Sequence, residues 1–508
     1  MDRASDFGSD GWGFESLRAR SSTWIVLALA VLLAAPTLVF GYLPMTDLPQ
    51  HEAVASILRN LHDPAFGFDV FYERRLAASP YLLPYGIELA LAAVVPLDLA
   101  MRVAAFLSVL AIPAGFVVLA SGMRKPASLA LLVFPLAFNR AFFWGFVNFN
   151  LSVGLALAAI GCLAAEPQTR GRRLAAAALA ILTVFTHVYG LALILGYVAL
   201  HAALGGGLRS LRPRAVVLAP ALALAAGWAL AGDAVEGYGG WLSPPFAERV
   251  AGIPSSILGG YKDGSEAVVL VVFAATLLAS CAGRRPPWSR EAPVPERVFA
   301  VMAAGNVVLY FLLPQATFTA KFVHFRHALL AAMMLPPVVF PASSLRRLAR
   351  PLVVACALVP LVNSWAHLWM FDREASGFDA VLDRLPERPR VAELAFDVDG
   401  DVMATAPYLH FAAYAQARKG GLVAVSFPRL FWNLPVAMRD DAGVPPTPTD
   451  LEWYPTIFDA RKFGGFYDHV VVRTDRKVLL GRGLDFPYEP VLVDPPWQLY
   501  RRVDEPGP

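Results

Sequence analysis

The chain has 508 residues, of which 57% are hydrophobic and only 16% are charged. With a mean hydropathy of +0.52, it is too apolar for an ordinary water-soluble globular protein, and it is predicted to cross a membrane many times. The formal net charge of +3 lacks the strongly basic balance of a nucleic-acid binder, so no nucleic-acid partner is expected.

The first 22 residues are rich in charge, and a long apolar run follows them at 24–42. Because this run has no small-residue cleavage site, we predict a cytoplasmic tail over 1–22 and a retained first helix. About 20 apolar residues cross a bilayer as a helix. This criterion predicts a transmembrane domain over 23–370, with twelve candidate segments near 23–43, 80–97, 102–121, 127–138, 149–165, 173–186, 188–204, 214–232, 266–283, 297–313, 327–341 and 351–370.

Basic residues cluster in five short connections between these segments. The positive-inside rule places such connections in the cytoplasm. They are Arg124 with Lys125, 170–173, 209–214, 284–297 and 346–350. The opposite connections, and everything after Phe371, are then predicted to face outward.

One segment breaks the regular alternation of sides. The segment 80–97 carries Glu88 in its middle, and an ionisable residue at a helix centre costs about 3 kcal/mol on insertion scales. We therefore predict that this segment is re-entrant or lies along the outer interface, which gives 11 crossings. The alternative is one further, unrecognised crossing, which gives 13.

From about Asp372 the apolar runs shrink to strand length and charged residues become frequent. This change predicts a small soluble α/β domain over 371–508, on the extracytoplasmic side. Short buried strands are predicted at 391–396, 422–427 and 470–473, and a helix at 407–418 that stops before two glycines.

The most informative motif, residues 46–51, directly follows the first apolar segment. Pro49 is acceptable only in a first helical turn, so a helix is predicted to begin at Leu48 or Pro49 and to end near Leu61. Asp47 is then a candidate N-cap, with Gln50 completing a capping box.

The same helix places Asp47 and His51 on one stripe, four residues apart, facing the protein. Glu52 points the other way. Because an unpartnered carboxylate facing the protein is costly, the placement of Asp47 favours a functional site over a solvated surface.

This arrangement resembles a known family. A first outward loop, here 44–79, that begins with an acidic residue and continues as a juxtamembrane helix is similar to the GT-C glycosyltransferases, among them the protein O-mannosyltransferases and the aminoarabinose transferase of lipid A. The resemblance covers roughly the first 370 residues in layout, but only Asp47 and its surroundings in residues. It implies a polyprenyl-phosphate-linked sugar as donor and Asp47 as the catalytic carboxylate.

Many relatives have two acidic residues in a row at this place. Here Leu48 follows Asp47, and His51 comes four positions on. The departure argues against a metal-binding pair, so no metal ligands are predicted and a divalent metal is left open as a cofactor. His51 is expected to orient Asp47 or to bind the acceptor.

Three further outward stretches carry candidate substrate-binding residues. In 139–150, Arg140, Trp144 and Asn148 lie in an aromatic and amide-rich run, which is typical of an interfacial belt or of a surface for a glycan or prenyl chain. His187 lies between two apolar halves, as a helix-end residue or as part of a cavity wall.

The third stretch, 321–327, gathers basic residues at an outward end, against the positive-inside trend. It is either a snorkelling cluster or the site of an anionic partner, for which arginine and lysine are suited. The resemblance implies that Lys321 and Arg326 meet the carrier phosphate, and His324 lies between them.

Two other features received weaker interpretations. The loop 237–263 is predicted to be either a mobile lid or a plain connector. His410 and Tyr414 share a face of the predicted helix 407–418, which is typical of ordinary surface or core residues.

A glycosyl donor outside the cytoplasm cannot be a nucleotide sugar. The predicted function is therefore a membrane glycosyltransferase that moves a sugar from polyprenyl phosphate to an extracytoplasmic glycan, lipid or protein acceptor. A bacterial inner membrane is the expected location. The alternatives are a transporter or flippase, whose path would include Glu88, Arg140, His187 and Lys321, and a non-catalytic assembly protein.

Overall fold

The computed structural model describes residues 10–231, 242–281, 286, 289, 291–316, 321–340, 349–431, 433–476 and 488–503. The tail before residue 10, and Tyr238 and Trp241 of the predicted lid, lie outside these residues. In the described part of the chain, strands occur only at Tyr72–Arg74 and from Arg390 onward. The remainder is mostly helical.

The helices up to Ala375 include the candidate membrane spans. They are α1 (Asp10–Ala34), α2 (Pro36–Val39), α3 (Leu48–Asn60), α4 (Leu82–Ala92), α5 (Leu97–Gly122), α6 (Arg140–Phe143), α7 (Val147–Ala164), α8 (Arg170–Val184), α9 (Val188–His201), α10 (Gly207–Ala231), α11 (Phe246–Ala251), α12 (Ile253–Ile257), α13 (Ser265–Cys281), α14 (Val294–Leu312), α15 (Val323–Val339) and α16 (Ala349–Ala375). A 3-10 helix, Ala127–Leu136, occupies the predicted segment 127–138.

Six helices among the described residues are long and apolar enough to cross a membrane, and five shorter apolar helices accompany them. The chain is therefore a multi-pass helical membrane protein, as the composition predicted. The helix α4 has 11 residues and is about 16 Å long at 1.5 Å per residue, well short of a hydrocarbon core of about 30 Å. This length favours the predicted re-entrant placement over a crossing.

The helices α5 and α7 pack closely against each other, and glycines allow the contact. A Cβ atom added at Gly122 would lie 2.0 Å from the carbonyl oxygen of Gly161, and one at Gly115 would lie 2.3 Å from that of Gly154. Small residues let membrane helices approach until their backbones touch, which increases van der Waals contact.

The basic connections gather at one end of this bundle. Arg124 donates to the carbonyl of Glu166 at 3.0 Å, and Arg214 donates to the carbonyl of Leu163 at 3.3 Å. The buried Lys125 pairs with Glu296 at 2.8 Å. The shared location agrees with the predicted common side of these connections.

The juxtamembrane helix α3 begins at Leu48, as Pro49 predicted, but the capping box is wrong. Asp47 occupies the N-cap position without a side-chain capping bond. Gln50 instead donates to the carbonyl of Val425 at 2.7 Å and accepts from the backbone N–H of Phe427 at 3.0 Å. Residues distant in sequence thus satisfy the amide that local spacing assigned to a cap.

The predicted outward orientation of Glu52 also differs from the structure. Glu52 is buried, and its carboxylate lies 3.7 Å from Nε of Arg418. The helix α3 is covered on both sides, because the C-terminal region packs over the face that the sequence pattern left open.

The C-terminal region is a small α/β unit. Its remaining helices are α17 (Asp379–Arg384), α18 (Ala413–Lys419), α19 (Phe427–Leu430) and α20 (Ala460–Phe463). The described strands are β1 (Tyr72–Arg74), which lies in the predicted first outward loop, and six strands of the C-terminal region: β2 (Arg390–Ala395), β3 (Leu422–Val423), β4 (Val436–Met438), β5 (His469–Arg473), β6 (Tyr488–Asp494) and β7 (Trp497–Arg502).

Five of these strands form one mixed sheet in the order β3-β2-β5-β7-β6. The strand β2 pairs in parallel with β3 and β5, whereas β7 is antiparallel to β5 and β6. A second, two-stranded sheet pairs β1 with β4 and so joins the predicted first outward loop to the C-terminal region.

The predicted strands and helix of the C-terminal region are present, but some of their predicted bounds are wrong. The strands at 391–396 and 470–473 are present as β2 and β5, whereas only Leu422–Val423 of the third is a strand. The helix predicted at 407–418 begins at Ala413, because residues 407–412 form turns.

Candidate active site

A cavity of about 230 Å³ lies between the membrane helices and the C-terminal region, and we call it the central cavity. Seven of the predicted site residues line it: Asp47, His51, Trp144, Asn148, His187, Lys321 and Arg326. The remaining lining residues are Tyr81, Phe146, Phe322, Leu409, His410, Phe427, Phe431, Asn433, Leu434, Glu452 and Trp453.

Asp47 is held by backbone contacts with the start of the aromatic stretch. The N–H of Asp47 donates to the carbonyl of Trp144 at 3.2 Å, and the N–H of Thr46 donates to that of Phe143 at 2.9 Å. Gly145 has φ of +89°, and a Cβ there would lie 2.9 Å from both N and Cβ of Asp47. Glycine is therefore required at 145 both for conformation and for space.

The groups around the Asp47 carboxylate shift its pKa in opposite directions. Burial raises the pKa of Asp47 well above its usual range, and the neighbouring carboxylate of Glu452 raises it further. Lys321 and Arg326 act in the opposite direction and lower the same pKa. The cavity therefore combines a basic carboxylate with two cations.

The C-terminal region contributes a histidine and a carboxylate that the sequence interpretation missed. Nε2 of His410 lies 3.7 Å from Oδ1 of Asp47 and 3.9 Å from Oε2 of Glu452. Burial lowers the pKa of His410 to about 3, so the ring is neutral at ordinary pH. The predicted helix face that His410 shares with Tyr414 was the available signal, but His410 lies in the turns before α18, and nothing in the sequence indicated that it meets Asp47.

His51 faces both the central cavity and a second, smaller one. Its Nδ1 lies 2.7 Å from the hydroxyl of Tyr85, and burial lowers the pKa of His51 to about 4. The smaller cavity, of about 30 Å³, is also lined by Tyr81 and Glu88. His51 is thus a neutral residue in the wall between the two cavities.

Arg326 lies among aromatic rings. Its guanidinium carbon is 4.7 Å from the ring centroid of Phe146 and 5.5 Å from those of Phe149 and Tyr189. Among the described residues Arg326 takes part in no ion pair within 4.0 Å. A partly buried guanidinium surrounded by ring faces is suited to accept an anionic ligand.

Lys321 and Arg326 are separated by an unusual turn. Phe322 has φ of +60°, in the left-handed region that non-glycine residues rarely occupy. Its ring lies 4.2 Å from that of Trp144, centroid to centroid. The turn places Lys321 on the cavity wall, and α15 begins directly after it.

His187 is the N-cap of α9, which bears out the helix-end interpretation, and it also lines the cavity. Its Nδ1 accepts the N–H of Tyr189 at 3.2 Å, so a neutral ring carries its hydrogen on Nε2. The ring stacks on Tyr81, with centroids 5.2 Å apart. Nearby, Oδ1 of Asn148 accepts the N–H of Phe149 at 2.9 Å.

Two predicted substrate-binding residues do not line the central cavity. Arg140 donates to the carbonyl of Ser255 at 3.0 Å. His324 lies beside Tyr310, with ring centroids 5.6 Å apart. Both belong to predicted outward stretches and lie beside cavity residues in sequence, but the helices α6 and α15 turn them toward other helices.

The described part of the predicted lid is a connector. Tyr261 forms a backbone bridge with Met403, and its ring stacks on His367 at 3.9 Å. The backbone N–H of Lys262 donates to the carbonyl of Val402 at 3.1 Å. The segment thereby ties the helix bundle to the C-terminal region.

No group of three or more His, Cys, Asp or Glu residues is arranged to hold a metal ion in the described part of the chain.

Comparison with known proteins identifies the fold. No family model and no curated protein matches the chain. The structure of ArnT from Cupriavidus metallidurans bound to undecaprenyl phosphate is similar, with a TM-score of 0.56 at 13% identity, over 97% of this chain and 98% of that chain. The apo structure of the same protein has a TM-score of 0.55 at 12% identity, over 95% and 98%. The chain therefore has the GT-C-type fold.

Proposed function

We propose that this protein is a membrane glycosyltransferase that transfers a sugar from a polyprenyl phosphate to an acceptor hydroxyl. One observation carries the proposal: a single cavity holds a partly buried carboxylate, Asp47, and two cations, Lys321 and Arg326. The similarity to ArnT, whose structure contains undecaprenyl phosphate, supports the donor class. The sugar and the acceptor are not specified by these residues.

In the proposed reaction, Asp47 is the general base. The acceptor oxygen attacks the anomeric carbon, and its proton passes to the Asp47 carboxylate. The bond between the anomeric carbon and the phosphate oxygen breaks, and polyprenyl phosphate leaves with the electron pair. The raised pKa of Asp47 makes it a stronger base than an exposed aspartate, which favours proton abstraction near neutral pH.

Lys321 and Arg326 are proposed to bind the donor phosphate. Lysine offers a point charge and arginine offers a fork of N–H groups, and both would stabilise the charge that grows on the departing phosphate. Arg326 is suited to this role because aromatic rings, rather than a carboxylate, surround its guanidinium.

The remaining wall is proposed to bind the sugar and the acceptor. Trp144 and Trp453 provide aromatic faces, and Asn148 provides a polar amide on the same wall. The neutral His410 lies beside Asp47 and is proposed to orient its carboxylate. The C-terminal region is thus part of the proposed active site, and we place it on the extracytoplasmic side.

The central cavity argues against the transporter alternative. Its lining residues come from the end of the bundle that carries the loop before α3, the starts of α9 and α15, and the C-terminal region. None of them belongs to the basic connections at Arg124, Lys125, 170–173 or 209–214. A transport path would have to reach that opposite end.

The decisive test is Asp47→Asn, which keeps the shape of the side chain and removes its basicity. We expect sugar transfer to fall by at least about 1000-fold, because the variant loses both the general base and the negative charge near the anomeric carbon. Transfer is measured with purified protein and a radiolabelled polyprenyl-phosphate sugar, and donor binding is measured separately.

The matched control is Asp63→Asn, an exposed aspartate at the other end of α3. It should transfer sugar at the normal rate. If Asp47→Asn retains donor binding but loses transfer, the proposal stands. Undiminished transfer by Asp47→Asn would refute it.

A further inference from the structure

A line of hydrogen bonds runs from the interior of the helix bundle to Tyr189, whose ring lies beside the cation Arg326. It begins at Asn306 on α14, whose Oδ1 lies 2.8 Å from Nδ1 of His327 on α15. Nε2 of His327 lies 3.3 Å from the hydroxyl of Tyr189 on α9. Asn306 and His327 are both buried and do not line the central cavity.

The direction of these bonds follows from the chemistry of the groups. Nδ2 of Asn306 lies 2.9 Å from the carbonyl of Met302. A carbonyl only accepts, so the amide nitrogen faces Met302 and the amide oxygen faces His327. The oxygen in turn accepts only, so Nδ1 of His327 must carry the hydrogen.

This assignment determines what Tyr189 can do. With its hydrogen on Nδ1, a neutral His327 has an acceptor at Nε2. The buried ring follows Arg326 in sequence and has no carboxylate partner among the described hydrogen bonds, so the neutral form is favoured. The hydroxyl of Tyr189 then donates to Nε2, and its oxygen lone pairs are left to accept.

Tyr189 also lies against Arg326: the guanidinium carbon is 5.5 Å from the centroid of its ring, and the two side chains interact electrostatically. The rings of Phe146 and Phe149 lie against the guanidinium but offer no atom that selects one N–H over another. The Tyr189 oxygen does offer one. One N–H of the guanidinium can therefore be held by the Tyr189 oxygen, which would leave the other N–H groups for a ligand in the central cavity.

We propose that Asn306 and His327 are positioning residues: through Tyr189 they set the orientation in which Arg326 meets the donor phosphate. This inference rests on the proposed function, and in particular on phosphate binding by Arg326. The inference adds Asn306 of α14 and His327 of α15, two residues that do not line the cavity.

The test measures binding of farnesyl phosphate, a short isoprenoid phosphate, to the purified full chain. Tyr189→Phe removes only the hydroxyl and keeps the ring beside Arg326. Asn306→Leu removes the acceptor for His327. Each variant is expected to weaken binding about 5- to 10-fold, as the loss of an oriented charge-assisted bond predicts.

A double variant separates positioning from general damage. If Asn306 acts through Tyr189, then Tyr189→Phe with Asn306→Leu should bind no more weakly than Tyr189→Phe alone. If the two substitutions acted independently, the loss of binding in the double variant would instead be the product of the two single losses. Ser108→Ala, a buried residue of α5 that bonds only its own helix at Ala105, is the control and should bind normally.

A second pair of variants keeps the inference testable if Asn306→Leu fails to fold. His327→Gln retains one donor and one acceptor and should preserve binding, whereas His327→Leu should weaken it by the same factor as Tyr189→Phe. Equal binding by the two variants would overturn the inference.

Arg326→Gln distinguishes failure of the inference from failure of the proposed function. If Arg326→Gln binds farnesyl phosphate as the unmodified protein does, phosphate binding by Arg326 is wrong. If Arg326→Gln weakens binding but Tyr189→Phe does not, only the positioning role is wrong. Multiplied losses in the double variant would overturn it as well.

Discussion

At the scale of single residues, the proposed transfer reaction depends on one carboxylate, Asp47, whose surroundings set its basicity. Asp47 has a raised pKa because of burial and Glu452, and Lys321 and Arg326 offset part of this rise. A general base acts in its deprotonated form. The transfer rate is therefore expected to fall as the pH drops through the pKa of Asp47, and this decline should occur at a higher pH than for an exposed aspartate.

Two variants should shift the midpoint of this decline at low pH in opposite directions. Glu452→Gln removes a neighbouring negative charge and should shift the midpoint to lower pH. Lys321→Gln removes a positive charge and should shift it to higher pH. The measurement is the pH profile of kcat/KM, read for its midpoint rather than its height. Shifts in the same direction would show that another group titrates.

At the scale of elements, the close pair α5 and α7 supports the walls of the site. The helix α7 begins at Val147, directly after the loop that holds Asp47. Its contact with α5 depends on Gly122 and Gly161, where the backbones touch. A small change in this pair should therefore affect the whole bundle.

We expect Gly122→Ala to lower the melting temperature in detergent by several degrees, because the added methyl group meets the backbone of α7 and the helices must separate. The matched control is Gly305→Ala in α14, where a Cβ would meet nothing within 4 Å. The control should leave the melting temperature unchanged or raise it slightly, since alanine favours a helix. A similar response of both variants would contradict the packing argument.

At the scale of the whole molecule, the C-terminal region completes the cavity and is joined to the bundle in several places. Gln50 bonds Val425 and Phe427, and Lys262 bonds the carbonyl of Val402. Arg473 bonds Glu374 at 2.9 Å, which links the sheet to the end of α16. The region is therefore expected to lie on the same side of the membrane as Asp47.

Labelling can test this sidedness. In a variant whose three cysteines are replaced, single cysteines at the exposed positions Asp440 and Arg170 should react oppositely with a membrane-impermeant maleimide. In spheroplasts the first should be labelled, and the second should be labelled only after permeabilisation. The reverse pattern would place the C-terminal region in the cytoplasm and would remove the argument that the donor cannot be a nucleotide sugar.

The sequence by itself determined the features that follow from local pattern. Apolar length predicted the membrane helices, Pro49 located the start of α3, and charge frequency located the C-terminal α/β region. The carboxylate of Asp47 was singled out because it directly follows the first apolar segment. Each of these inferences depends on residues that are close together in the chain.

Only the tertiary structure decided which side chains meet. His410 and Glu452 lie near Asp47 because the C-terminal region packs over α3. Gln50 does not take part in the predicted capping box and instead bonds to that region. Arg140 and His324 are directed elsewhere, although their sequence neighbours line the cavity. A cavity brings together elements distant in sequence, and their contacts depend on packing that local periodicity does not encode.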